Sequence, residues 1–119
     1  IILDAYNANP SSMHAAITNF IQLDKSNKIA ILGDMFELGN ESLSEHKKII
    51  DLIENESRIK TYFIGKYFYA NKIENQNTIF FKDYNSFSEY LKENKPTEET
   101  LILIKGSRGM ALERTLEIL

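Results

Sequence analysis

Three short segments hold most of the side chains that could do chemistry. They are Asp4-Ala5-Tyr6-Asn7-Ala8-Asn9-Pro10, Gly33-Asp34-Met35-Phe36-Glu37-Leu38-Gly39 and Lys105-Gly106-Ser107-Arg108-Gly109. In the first, Asp4 could accept hydrogen bonds from a pair of sugar hydroxyls, Tyr6 could stack or donate, and Asn9 could read an amide or a base edge. The same residues could equally hold a turn, with Asp4 and Asn7 bonding the backbone and Asn9 capping a helix. In the third, Lys105 and Arg108 flank Gly106 and Ser107 just ahead of a helical pattern. Positive charge and backbone amides there point toward a carboxylate or phosphate. Strand-end charges in solvent beside a Ser cap would give the same pattern. The middle segment has the composition of a loop. Its Asp34 and Glu37 could bind a metal, but two carboxylates without a supporting cluster are weak evidence for one. The only histidines, His14 and His46, fall on different helices. His14 is expected to be exposed. His46 lies beside an apolar stripe, as a half-buried histidine would.

All three segments directly follow short apolar runs, and that placement sets the architecture. Strands are predicted at Ile1–Asp4, Lys28–Gly33, Thr61–Gly65, Thr78–Phe81 and Leu101–Ile104. Between them run helical patterns. Asn9-Pro10 opens the first, with Met13, Ala16, Ile17, Phe20 and Ile21 on one face. Ser42 and Glu45 suggest a capping box for the second, whose stripe is Leu43, Ile49, Ile50 and Ile53. A short helical piece follows near Tyr67–Asn71, then helices over Ser86–Asn94 and Met110–Leu119. Strands alternating with helices imply a parallel sheet covered on both faces. In such a sheet ligands bind beyond the carboxyl ends of the strands, where all three polar segments would lie.

Several functions are excluded or disfavoured. A chain of 119 residues suits one domain, and its 43% hydrophobic and 26% charged content is that of a globular protein. The net charge of −3 shows no general nucleic-acid footprint. There is no cysteine, hence no disulfide and no thiolate nucleophile. Neither an apolar run long enough to span a membrane nor a secretion signal is visible, which fits a cytoplasmic protein. The G-x-G-x-x-G, GxxxxGK[ST] and G-x-S-x-G patterns are missing. A phosphoacceptor receiver domain would share Asp4 and Lys105, but it needs an Asp after the third strand, which ends instead at Gly65.

Taken together and in order, DAYNANPSSM, GDMFELG and IKGSRGM closely resemble the C-terminal domain of the Mur ligases, over essentially the whole chain. The YNANP turn and the KGSR segment resemble the branch that adds D-Ala-D-Ala to UDP-MurNAc-tripeptide. The resemblance implies a single Rossmann-like α/β domain over residues 1–119. It would be a three-layer sandwich with a mostly parallel sheet of five or six strands, one of them antiparallel. It also implies an ATP- and Mg2+-dependent amide ligation through an acyl phosphate, in a monomer without nucleic-acid or membrane partners. The N-terminal and central domains of such an enzyme would hold the UDP-sugar, the P-loop and the metal. This chain has no P-loop, so no catalytic residue is expected in it. By the same resemblance Asp4, Tyr6, Asn7 and Asn9 would serve ATP, with Asp4 on the ribose. Lys105, Gly106, Ser107 and Arg108 would serve the incoming dipeptide or the phosphates, and Asp34 and His46 are further candidates. The alternative is a stand-alone nucleotide-binding or receiver-like module without catalysis.

Overall fold

A computed structural model describes all residues, 1–119. The elements run β1 (Ile2–Asp4), α1 (Pro10–Gln22), β2 (Lys28–Gly33), α2 (Ser42–Ile53), β3 (Ile59–Ile64), α3 (Lys66–Ala70), β4 (Thr78–Phe81), α4 (Tyr84–Glu93) and β5 (Leu101–Lys105). The five strands form one sheet in the order β1-β5-β2-β3-β4, and every ladder is parallel. The antiparallel strand expected from the resemblance is absent. The only antiparallel pairing is an isolated bridge between Asn75 and Thr78.

Alternation along the strands divides the core in two. Ala30, Leu32 and Phe63 face α1, α2 and α3, packing on Met13, Ile17, Phe20, Ile49, Ile50, Ile53 and Phe68. Ile29, Ile31, Tyr62, Ile64, Ile102 and Ile104 face α4 and the C-terminal segment, packing on Phe87, Leu91 and Leu112. The chain leaving β1 and β2 therefore covers one face, while the chain leaving β5 turns to the other. Because β5 lies between β1 and β2, the connections diverge at its carboxyl end and open a crevice there.

The helix ends differ from the sequence reading in instructive ways. Asn9 caps α1 as expected, and it does so in a full capping box. Its Oδ1 accepts from the Ser12 amide at 2.9 Å while its own amide donates to Ser12 Oγ at 3.1 Å. At the other end Lys28 is buried and its ammonium donates to the carbonyls of Phe20, Ile21 and Leu23. A cation thus meets the orphan acceptors of a helix C-terminus. The capping box predicted at Ser42 does not form. A 3-10 turn over Gly39–Glu41 runs straight into α2, so Ser42 is already helical and its hydroxyl turns to His46 Nδ1 at 3.4 Å. Helix α4 starts two residues early, because Asp83 caps it through the Ser86 amide. The predicted closing helix is instead two 3-10 turns, Arg108–Met110 and Leu112–Glu117, separated by Ala111 in the left-handed region.

Candidate functional site

All five carboxyl strand ends share one edge, and the three polar segments meet there. Lys105 ends β5 and is 1% exposed. Its Nζ donates to Asp4 Oδ2 at 2.5 Å and to the Asn7 carbonyl at 3.0 Å. This pair ties the end of β1 to the end of β5. The Lys105 ammonium, helped by the Asn7 and Tyr6 amides, holds the Asp4 carboxyl below its usual range. The Asp4 side chain remains about half exposed.

Ser107 is a junction between loops. Its Oγ accepts from the Phe36 amide at 2.8 Å and lies 3.5 Å from the Ala8 carbonyl, while its own amide donates to the Asp34 carbonyl at 3.1 Å. Gly106 permits the closeness on which this depends. A Cβ there would stand 2.8 Å from Leu112 Cδ1 and 3.1 Å from Gly33 Cα. Lys105, Gly106 and Ser107 therefore all make internal contacts. Arg108 is exposed, its guanidinium 5.5 Å from the centroid of the Tyr6 ring. Tyr6 is 76% exposed. Tyr6, Asn7, Asn9, Phe36, Glu37 and Arg108 line a cleft of about 430 Å³.

Asp34 and His46 lie beneath this edge, and both are buried. The Asp34 carboxylate accepts from the amides of Tyr67 (2.9 Å) and Phe68 (3.0 Å) in the first turn of α3. Burial pushes its pKa up, against those two amides. His46 is fully rather than half buried. Its Nε2 accepts from the Met35 amide at 2.9 Å, which makes Nδ1 the protonated nitrogen, donating to the Ser42 carbonyl at 2.6 Å. Burial pushes the pKa of this neutral imidazole down. His14 is exposed, and no group of three His, Asp or Glu converges anywhere in the chain.

A second cleft, of about 510 Å³, opens on the same edge beyond β3 and β4. Phe36 and Glu37 form a wall common to both clefts. The second is lined further by Lys66, Tyr67, Lys82, Tyr84 and Arg114, and the Arg114 guanidinium stacks 3.7 Å from the Tyr84 ring centroid. The sequence assigns none of these lining residues a ligand role. Gly65-Lys66 was a visible signal, a Gly and a cation straight after an apolar strand.

The family described as "Mur ligase, glutamate ligase domain" matches residues 1–108. The UDP-N-acetylmuramoyl-tripeptide–D-alanyl-D-alanine ligase of Rickettsia prowazekii is 37% identical over 123 aligned residues, covering 98% of this chain and 26% of that protein. The ligase of the same name from Bacillus subtilis is 35% identical, covering 98% and 27%. Among solved structures, MurF from Acinetobacter baumannii superposes with a TM-score of 0.76 at 27% identity, over 96% of this chain and 26% of that one. MurF from Thermotoga maritima, in complex with ADP, gives a TM-score of 0.74 over 97% of this chain and 26% of that one. At 24% identity it shows likeness of fold. The chain spans about a quarter of the length of the relatives it matches.

Proposed function

Since the chain belongs to the Mur ligase family, as the match over residues 1–108 shows, we propose that it is the C-terminal domain of a ligase that adds D-Ala-D-Ala to UDP-MurNAc-tripeptide. In this reading the remainder of the enzyme, its N-terminal and central domains, holds the UDP-sugar, the ATP phosphates and the magnesium ion. ATP activates the tripeptide carboxylate as an acyl phosphate there. This domain closes over that centre, contacts the nucleoside and presents the dipeptide amine. Its contribution is positioning and electrostatic support of chemistry held elsewhere.

The observation that carries the proposal is the convergence of three loops from β1, β2 and β5 on one cleft at the carboxyl edge of the sheet. Beside it, at the end of β1, the half-exposed Asp4 carboxylate is the group assigned to the ribose, with Tyr6, Asn7 and Asn9 along the nucleotide edge. Arg108 is the exposed cation assigned to the dipeptide carboxylate. Lys105, Gly106 and Ser107 give that edge its shape, since each is held against neighbouring loops.

The test is steady-state kinetics of the full-length ligase, following phosphate release that requires both UDP-MurNAc-tripeptide and D-Ala-D-Ala. Arg108→Ala should cost roughly 1–3 kcal/mol in kcat/KM for the dipeptide, the value of a charge-assisted bond. Unchanged dipeptide kinetics would remove Arg108 from that role. The 119-residue chain alone should bind ATP weakly and catalyse nothing. Micromolar ATP affinity by calorimetry would favour a self-sufficient nucleotide-binding module.

A further inference from the structure

The loop Asp34–Gly39 is the wall between the two clefts, and it is held in an unusual way. Glu37 (φ +65°) and Gly39 (φ +61°) both lie in the left-handed region, which a residue with a side chain adopts only when its surroundings impose it. The amides of Met35 and Phe36, just ahead of this kink, have side chains rather than backbone as acceptors. Met35 donates to His46 Nε2 and Phe36 to Ser107 Oγ. The ring of Phe36 then lies close against Gly109, where a Cβ would come within 2.6 Å of Cε2. His46 cannot reach either cleft. It is fully buried and both its nitrogens are engaged, one on Met35 and one on Ser42. Its ring is packed edge-on against Phe68 at 4.6 Å.

We infer that His46 is a positioning residue, which sets the wall between the two clefts through the Met35 amide and acts on ligands through Phe36 and Glu37. This rests on the function proposed above. Neither face of the wall can move alone, because Phe36 and Glu37 line both clefts. Loss of the Met35 anchor should therefore reshape the first cleft, to which both ATP and the dipeptide are assigned, and weaken both together.

Two substitutions of similar polarity but different reach test this in the full-length ligase. The Gln side chain carries an acceptor to about the place of Nε2, whereas that of Asn ends near Nδ1. His46→Gln should keep the KM values for ATP and D-Ala-D-Ala within about threefold. His46→Asn should raise both by roughly tenfold or more, the scale of an unpaired buried amide. Hydrogen exchange in the same proteins should stay slow at Met35 and Phe36 in His46→Gln and accelerate there, but not in β2, in His46→Asn. Equal losses in the two variants would overturn the inference, by showing that the ring itself is required. A folded His46→Asn enzyme with normal KM values and a protected Met35 amide would overturn it as well. If His46→Asn does not fold, wild type against His46→Gln decides, and a loss beyond tenfold in the latter is refutation. If the wild-type ligase shows no activity dependent on D-Ala-D-Ala, the functional reading fails, and hydrogen exchange still tests the anchoring of the loop.

Discussion

The ion pair between Asp4 and Lys105 invites a four-protein cycle of wild type, Asp4→Asn, Lys105→Met and the double variant. The ammonium is almost wholly buried and has two acceptors, the Asp4 carboxylate at 2.5 Å and the Asn7 carbonyl at 3.0 Å. Asp4→Asn leaves that cation buried with only neutral acceptors. A bond to a charged group is worth about 1.5–3 kcal/mol. The carboxylate is half open to water, so a loss of about 1–2 kcal/mol is expected. Lys105→Met removes the buried charge and lets Asp4 rehydrate, leaving mainly the Asn7 carbonyl without its donor, at a cost of about 1 kcal/mol. The double variant should then cost little more than Lys105→Met, for a coupling of about 1–2 kcal/mol. The pH dependence has a defined sign. The pKa of Asp4 is lowered in the folded state, so the stabilisation is present above its ordinary value of 3.8 and is lost as pH falls through the folded value. Urea denaturation of the four proteins near neutral pH and at about pH 3 reads both quantities. Additive losses, or an Asp4→Asn protein as stable as wild type, would refute the account of the pair. If Asp4→Asn also raises the KM for ATP in the full-length ligase, the carboxylate has a ligand role beside its structural one.

Gly65→Ala should destabilise the domain by more than about 2 kcal/mol in thermal or urea unfolding, because φ there is +127° and the new Cβ would stand 2.3 Å from Asp34 Cγ. Asn9→Ala should cost about 1 kcal/mol through loss of the cap on α1, read in the same assays. Below pH ~6.5 the unfolded chain protonates His46 while the folded chain resists, so stability should fall by up to about 1.4 kcal/mol per pH unit, and His46→Gln should reduce that slope. The raised pKa of Asp34 acts in the opposite sense, since its proton binds the folded state first, so the His46 contribution is taken as the difference between the two proteins.

The strand pattern was readable because parallel strands buried on both faces must be apolar throughout, as LILI and the IAILG that follows Lys28 are. The start of α1 was readable because Asn-Pro has a local meaning at a helix N-terminus. What escaped was set by contacts distant in sequence. Ser42-Leu43-Ser44-Glu45 has a capping-box spacing, but the turn before it continues the helix, and the hydroxyl finds a histidine instead. Nothing local distinguishes a strand-end lysine that meets a ligand from one, like Lys105, buried on a carboxylate 101 residues away. Lys28 did carry a signal that went unused: a cation six residues beyond the end of an amphipathic helix can fold back onto its last carbonyls. In the closing segment Leu112, Leu116 and Leu119 have a helical spacing, but the chain there forms 3-10 turns and leaves Leu116 exposed. Leu112 is drawn onto Gly33 and Gly106, and Ala111 takes the left-handed kink that allows it.

The first cleft joins the β2 loop to segments about a hundred residues apart, those after β1 and after β5, and this orders its assembly in time. The only strand partner of β1 is β5, and Ser107 reaches back 99 residues to Ala8. During synthesis β2, β3 and β4 can pair as they leave the ribosome, while β1 waits for almost the entire domain to follow. Contacts closed over so long a loop form slowly. Until they do, Ile2 and Leu3 present an unpaired apolar edge, the kind of surface that nascent chains aggregate through and chaperones cover. Truncation just before Leu101 would make that waiting state permanent. It would leave three strands in register and no cleft between Tyr6 and Arg108.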